Sequence, residues 1–517
     1  MVLDVLQSLF TPTNLAFLVG GVIIGIIFGA IPGLGANTAI TLLLPVSFAM
    51  NATTAIIFMA SIYCGGVSGG LISAILLGIP GTNANLATVY DGYAMAKKGQ
   101  ASKALGVGIF SSLISTFTSV LIAMLVCAPL ARIAIKLGPW EYFSLCTAAI
   151  VLVVTISKGN MFSGLMAAGL GMAAGTVGMA PVDAAIRYTF GITNLRSGVD
   201  ILAVCLGLFA VADLVHNFAK GDMQSPEIDT KGIKGIGISM KEYFSHGKMI
   251  ATSYALGLAI GFMPGMGAGL SNVVAYAVAK AKSKTPEKFG TGCVEGVIAP
   301  EIANNASIGG AIIPMIALGI PGDTTCALLI SALMIHGIEA GPLLMSSNTV
   351  LVYCFFGTLL LGALVTFACE WFGMRTFPYI LRTPTHYLYS AIFIICIVGL
   401  YANSYSIFNC GMMVFLGALG LFMIYGNLPY APFILGYILG PMMEKYLREG
   451  LTYSSNGFLI FLQRPVSAAL LAVMAFSLFW PFIRERRELA KKKAGKETEV
   501  DLSLIHISEP TRPLYIS

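Results

Sequence analysis

The chain has 517 residues, of which 57% are hydrophobic and only 10% charged, against roughly 25% charged in ordinary soluble domains. Its net charge of +6 sits in short basic runs between apolar stretches and near the C-terminal end; that placement speaks against nucleic-acid binding and reads as membrane orientation by basic loops. The apolar runs are continuous instead of alternating with polar residues, which disfavours a β-barrel and predicts an all-α, polytopic helical membrane protein with about 10–12 spans.

The first residues, Met1 to Asp4, lack the basic start of a secretory signal peptide, so the first apolar segment, Leu15 to Ile31, is expected to be a retained span. Gly21, Gly25 and Gly29 recur at every fourth position in it and predict a groove for close helix packing. Pro32-Gly33-Leu34-Gly35 interrupts, and Asn37, Thr38 and Thr41 open a second segment reaching Phe48. The next pass starts at Thr53 and is expected to break at Gly65-Gly66 and Gly69-Gly70. Leu71 to Ile79 then leads into Pro80-Gly81-Thr82-Asn83-Ala84-Asn85. Leu86 to Ala96 follows, carries Asp91, and ends in Lys97-Lys98 with Lys103 close behind, so this loop is read as cytoplasmic.

Spans are expected near 104–131, 142–157, 161–180 and 198–218, followed by a lysine-rich polar linker over 219–248. The second half opens with Met249 to Met263, then Pro264-Gly265-Met266-Gly267 and a helix to Lys280. A basic loop over Lys280 to Lys288 precedes Pro300-Glu301-Ile302-Ala303-Asn304-Asn305 and the last turn, Ile320-Pro321-Gly322-Asp323. Further spans fall near 346–369, 387–401, 407–425, 429–443 and 465–483. The chain therefore divides into a first repeat (1–218), the linker, a second repeat (249–485), a basic tail (486–501) read as cytoplasmic, and residues 502–517. The last stretch resembles a translated sequencing adaptor and is set aside.

Two kinds of Pro-Gly turn thus occur twice: Pro32 recurs as Pro264, 232 residues on, and Pro80 as Pro321, 241 residues on. In a bilayer, such breaks leave backbone groups unpaired unless they line a cavity or face protein. Basic residues follow the second turn in the first half and the first turn in the second half. Equivalent loops therefore face opposite sides, and the repeat is expected to be inverted, as suits alternating access. Helix starts at the breaks offer free N–H groups and the positive end of a dipole to an anion.

The candidate substrate residues are Gly33, Gly35, Asn37, Thr38, Pro80, Gly81, Thr82, Asn83, Asn85, Gly265, Gly267, Asn304, Asn305, Pro321, Gly322 and Thr324. Freed carbonyls at the same breaks are candidates for Na+. Asp323 and Glu301 are the candidate cation-coupling carboxylates, since ionisable groups at membrane depth are costly and usually functional. Helix capping is the other role open to Asp323, and a place near the membrane surface the other reading of Glu301. Asp91 reads as structural. Ten single cysteines without Cys-x-x-Cys imply neither a disulfide framework nor a zinc site. Five histidines without His-x-x-x-His or His-Glu-x-x-His spacing show no catalytic set, so the chain is not read as an enzyme and needs no cofactor. A membrane-embedded enzyme and a passive anion channel are the alternatives.

Residues 29–35 (Gly-Ala-Ile-Pro-Gly-Leu-Gly), Asp91-Gly-Tyr-Ala-Met-Ala-Lys-Lys-Gly99, Gly261-Phe-Met-Pro-Gly-Met-Gly267, Pro300-Glu-Ile-Ala-Asn-Asn305 and Leu318-Gly-Ile-Pro-Gly322 resemble the large membrane subunit of the tripartite tricarboxylate transporters, the TctA family, over about residues 10–485. The resemblance implies a bacterial inner-membrane uptake system for organic acids such as citrate, driven by Na+ or H+. It also implies two partners, a small four-helix membrane subunit and a periplasmic substrate-binding protein.

Overall fold

The computed structural model describes residues 2–32, 34–156, 161–219, 240–374, 376, 385–454 and 456–478. Gly33, the linker over 220–239, residues 479–485, the basic tail 486–501 and residues 502–517 lie outside the described residues.

A short helix, α1 (Val2–Leu9), precedes α2 (Pro12–Ala30), whose start is set by the Thr11 side chain accepting from Asn14 N–H and by proline in the first turn. The half-length α3 (Ala36–Ser47) follows the first turn, and α4 (Ala52–Leu76) is capped by Asn51. After the second turn come a 3-10 turn, Asn83–Asn85, and α5 (Thr88–Lys97). The long α6 (Ala101–Ala134) is followed by α7 (Pro139–Ile156) and α8 (Met161–Gly175). A two-stranded antiparallel ribbon, Gly178–Met179 with Ile186–Arg187, precedes α9 (Ile201–Cys205), which a π-helical stretch, Leu206–Val211, joins to α10 (Ala212–Ala219).

The second half comprises α11 (Met240–Ser245), α12 (Gly247–Phe262), α13 (Gly267–Lys282), α14 (Glu295–Leu318), α15 (Thr324–Ile335), α16 (Leu344–Ser347) and α17 (Thr349–Gly373). Then follow α18 (Thr385–Ser404), α19 (Ile407–Tyr425) and α20 (Tyr430–Thr452).

Among the described residues, six helices are long and apolar enough to cross a membrane: α2, α4, α6, α14, α17 and α19. Gly457–Gln463 and Pro465–Leu478 form a further apolar pair bent by 90°. Apolar helices of 10–17 residues include α3, α8 and α15. The 12-residue α3 and α15 rise only about 18 Å each, too little for either to cross a hydrocarbon core of about 30 Å alone.

One expectation is corrected. The glycine pairs 65–66 and 69–70 do not break the chain, and α4 runs continuously through them. They serve packing instead: a Cβ on Gly25 would lie 2.5 Å from Ile62 O, one on Gly69 2.6 Å from Ile26 O, and one on Gly65 would strike Val22 O. With no side chains between them, α2 and α4 approach backbone to backbone. Gly257 and Gly261 of α12 meet Ala303 and Ser307 of α14 in the same way.

These contacts also give chain direction. Residues 21, 25 and 29 meet 58, 62 and 66, so α2 and α4 run parallel; α12 and α14 do likewise. By contrast α4 and α14 run antiparallel. Ile56, at the start of α4, shares a small cavity with Met315 and Ile316 at the end of α14. Gly92 of α5 packs on Ile75 at the end of α4, while its neighbour Asp91 lies against Gly296 at the start of α14. The two halves are therefore related by inversion, and each lays its third long helix against the other's second: α6 on α14, and α17 on α4.

Candidate functional site

Inversion brings the four turns together. Gly35 opens α3 with φ +92° and meets Thr82, whose Cγ2 would lie 3.2 Å from a Cβ there. Asn37 Oδ1 accepts from Thr325 Oγ1 (2.6 Å). A Cβ on Gly267, which has φ +55°, would sit 2.9 Å from Asp323 Cβ, and one on Gly269 3.2 Å from Asn83 O. Turn one thus touches turns two and four, and turn three touches the same two. The left-handed backbone at Gly35 and Gly267 is one that side-chain-bearing residues rarely adopt.

The second and fourth turns are seated alike. A Cβ on Gly81 would strike Gly29 O and lie 2.6 Å from Ser73 Oγ; one on Gly322 would strike Ala311 Cα and lie 2.6 Å from Gly261 O. Gly29 and Gly261 are the equivalent last glycines before the two Pro-Gly-x-Gly turns. Gly265 N–H donates to Gly322 O (2.8 Å), tying the two turns of the second half to each other.

The four helix starts differ in capping. Thr82 Oγ1 accepts from Ala84 N–H, and Asp323 Oδ1 from Cys326 N–H at 2.7 Å. No side chain caps α3 or α13, so their first N–H groups remain available as donors. Asn83 is exposed, and Asn37, Thr82, Pro80, Gly265 and Thr324 are half-buried; Gly81, Gly267, Pro321 and Gly322 are buried. Thr38 faces inward and donates to Leu34 O (3.0 Å). The arrangement is a polar mouth of helix starts, amides and hydroxyls within apolar walls, with no lysine or arginine in any of the four turns.

The two carboxylates occupy different settings. Asp323 caps α15 with Oδ1, while its Oδ2 accepts from Tyr63 OH (2.6 Å) of α4. Glu301, fully buried on α14, receives Thr88 Oγ1 (2.5 Å) and Asn85 Nδ2 (3.0 Å) on Oε1. Ser112 Oγ and Asn305 Nδ2, each at 3.5 Å, approach Oε2. Glu301 is therefore buried within the protein, where it clasps the segment after the second turn. Asn304 is buried beside it with neither amide atom partnered among the described residues. Asp91 closes a nest: it accepts from the N–H groups of Gly290, Gly292 and Cys293 and from Tyr276 OH.

Sequence reasoning did not single out Tyr63, Thr88 or Ser112 as partners of these groups. Ser111, Ser112, Ser115, Thr116 and Ser119 do form a visible stripe on α6 at helical spacing. Glu370, buried near the end of α17, was legible only as a lone acid at a span boundary.

No solved structure matches this chain. An uncharacterized 52.8 kDa protein in the TAR-I ttuC' 3' region of Agrobacterium vitis is 31% identical over 492 residues, covering 93% of this chain and 96% of its own. An uncharacterized protein in the TAR-II ttuC' 3' region of the same organism is 32% identical over 241 residues, 45% of this chain and 97% of its own. The tripartite tricarboxylate transporter TctA family model matches residues 15–435. With that match across most of its length and around all four turns, the chain belongs to the tripartite tricarboxylate transporter TctA family.

Proposed function

We propose that this chain is the large transmembrane subunit of a binding-protein-dependent secondary transporter that imports di- or tricarboxylates together with a cation, Na+ or H+, across the bacterial inner membrane. The observation that carries this reading is the convergence of four broken-helix starts from two inverted halves, two of them without side-chain caps. Carboxylate oxygens accept from the first N–H groups of α3 and α13 and from the amides and hydroxyls of Asn37, Thr82 and Asn83. Hydrogen bonding without a fixed positive charge suits an anion that must also be released.

Asp323 and Glu301 stand beside this site as the cation-linked groups, since an unneutralised carboxylate there would repel the substrate. Rocking or sliding of the inverted halves about the turns exposes the site alternately to each side. Lys97, Lys98, Lys280 and Lys282 at the ends of α5 and α13, with Lys284 and Lys288 in the loop that follows, mark the cytoplasmic face. A small four-helix membrane subunit and a periplasmic binding protein complete the system.

The test is uptake of radiolabelled citrate and succinate by proteoliposomes holding the chain, its membrane partner and the binding protein, under imposed Na+ or pH gradients. Accumulation against a gradient that Asn83→Ala abolishes supports the reading. Equilibration without a cation gradient points to a channel, and chemical conversion of the substrate to an enzyme; either overturns it.

A further inference from the structure

Glu370 of α17 has no exposed surface, and the fold gives it one hydrogen bond: its Oε2 accepts from Ser68 Oγ (2.9 Å), while Oε1 has no partner among the described residues. It lines a cavity of about 10 Å³ between α4, α6, α14 and α17, shared with Ser112, Thr116, Asn305 and Thr366. That is room for about one water molecule, and the walls carry the two to four polar groups such a water needs. Across the cavity, Asn305 Nδ2 donates to Ser112 Oγ (2.9 Å), and both approach Glu301 Oε2. From Glu301 the chain of polar groups continues through Asn85 to Thr82 in the second turn. Polar groups thus lead from Glu370, across the cavity, to the second of the four converging turns.

We propose that Glu370 and Glu301 are two stations of one proton, bridged by a water in this cavity, so that the coupling ion is H+. The inference rests on the transporter reading above and extends it to a residue outside the turns. Their environments divide the roles. Four donors point at Glu301 and suit a carboxylate; a single hydroxyl serves Glu370, which suits the neutral acid. In the transfer, the Glu370 carboxyl gives its proton to the water, which hands one of its own to the Glu301 carboxylate. The pair keeps one proton and one negative charge throughout.

Once neutral, Glu301 must donate through one oxygen, and the Asn85 and Asn305 amide N–H groups can only donate to it. The clasp on the second turn loosens, which links the proton to the motion of the site. Those same donors leave Glu301 without lone pairs facing it from several sides, as Na+ would require.

The titratable surroundings are few. Cys64 of α4 accepts from Thr366 Oγ1 (3.8 Å), and Cys369 adjoins Glu370 on α17. The α6 wall offers serines and threonines; behind it Tyr243 of α11 pairs with Ser111 (2.9 Å), and Tyr254 of α12 packs nearby. Asp91 and Tyr276 are bonded to each other beyond the first turn of α14. Among the described residues no lysine, arginine or histidine forms a salt bridge with either carboxylate.

The test combines infrared difference spectroscopy of the purified full chain with citrate uptake in proteoliposomes of the assembled system. The expected result is a carboxylic C=O band in the wild type that shifts in D2O and disappears in Glu370→Gln, with loss of pH-driven accumulation by at least tenfold in that variant. Glu370→Asp should restore part of both. Should Glu370→Gln not fold, the wild-type band alone decides, and its absence overturns the proposal. Accumulation in Glu370→Gln at wild-type level, or accumulation driven by Na+ alone, overturns the proton pair while leaving the transporter reading intact. Failure of the wild type to accumulate citrate or succinate under any gradient counts against the transporter reading, and the band still decides whether the two carboxylates share a proton.

Discussion

Replacing Gly81 or Gly322 by alanine tests whether the seating of the turns holds the site together. At Gly81 the added methyl meets Gly29 O, Ser73 Oγ at 2.6 Å and Gly70 Cα at 2.8 Å; at Gly322 it meets Ala311 Cα and Gly261 O at 2.6 Å. Serine can rotate its hydroxyl away, but the other partners are backbone atoms of close-packed helices. Relief of the tightest backbone contacts to ordinary contact demands a shift of roughly 1–1.3 Å, and overpacking of this kind costs about 1–3 kcal/mol. Gly20 provides the contrast: nothing lies within 4 Å of a Cβ there, and alanine in a helix interior is favoured over glycine by about 1 kcal/mol. Thermal unfolding of detergent-solubilised protein, followed by size-exclusion chromatography, should place Gly81→Ala and Gly322→Ala below wild type and Gly20→Ala at or above it. Citrate uptake should fall in the first two, since displacing the Gly81 turn carries Thr82 from Gly35 and Asn85 from Glu301. If all three variants unfold alike and transport alike, the seating plays no part in building the site.

Three further outcomes follow from particular bonds. Asp91→Asn replaces an acceptor of three backbone N–H groups and a tyrosine hydroxyl by one that must also donate; a loss of about 1.5–3 kcal/mol should make the 283–294 loop cleavable by limited proteolysis, and unchanged cleavage counts against the nest. Tyr63→Phe removes the hydroxyl bonded to Asp323 at a cost of about 1–3 kcal/mol, and thermal stability should drop while Tyr254→Phe changes it less. Glu444 is held below the ordinary carboxylate range by hydrogen bonds from Arg187 (2.7 and 3.0 Å). Because the folded-state pKa is the lower one, this pair's stabilisation is full above the ordinary value of 4.5 and is lost as pH falls through the folded value. Arg187→Gln should flatten that acid-side slope by up to about 1 kcal/mol, and an unaltered slope below pH 4.5 would show that the pair is not responsible.

Much of the frame was legible because bilayers enforce simple rules. Long uncharged runs could only be helices, and Pro-Gly pairs within them could only be breaks facing protein. The lysine runs after Met95 and after Ala279, set at non-equivalent points of the two repeats, were enough to expect the inversion that α4 and α14 display. Glycines were harder to read. Gly65-Gly66 reads in sequence like a break of the Gly35 kind, yet it lies inside α4 while Gly35 stands at the start of α3. What separates them is whether a facing helix needs the space, and that depends on a partner far away in the chain. Glu301 posed the same difficulty, because its burial depends on Asn85 and Thr88, more than 200 residues earlier, reaching over to it. Glu370 was obscured by its position near a helix end, where acids are commonplace.

The two halves match in backbone but not in charge. Gly69 faces Ile26 O as Gly310 faces Leu258 O, and Gly25 meets Ile62 as Gly257 meets Ala303, so α4 and α14 match at an offset of 241 residues, the same as the turns that follow them, and on that register Glu301 corresponds to Ala60 and Asp323 to Thr82. Glu370, too, has no acidic counterpart anywhere in α6. On the proposed reading this division is functional. An anion that must be met equally from either side needs symmetric donors, and the paired α3 and α13 starts supply them. A cation site needs fixed negative charge, which would weaken anion binding if it were repeated in both halves. Confining Glu301, Asp323 and Glu370 to the second half leaves the first-half turns free to hold the carboxylate, while Asn85 and Thr88, reaching from the first half to Glu301, report the state of the carboxylates back to it. Moving a carboxylate into the first half, as in Ala60→Glu, should therefore lower carboxylate affinity in equilibrium binding without raising cation dependence. Higher affinity would mean that the two halves share the cation after all.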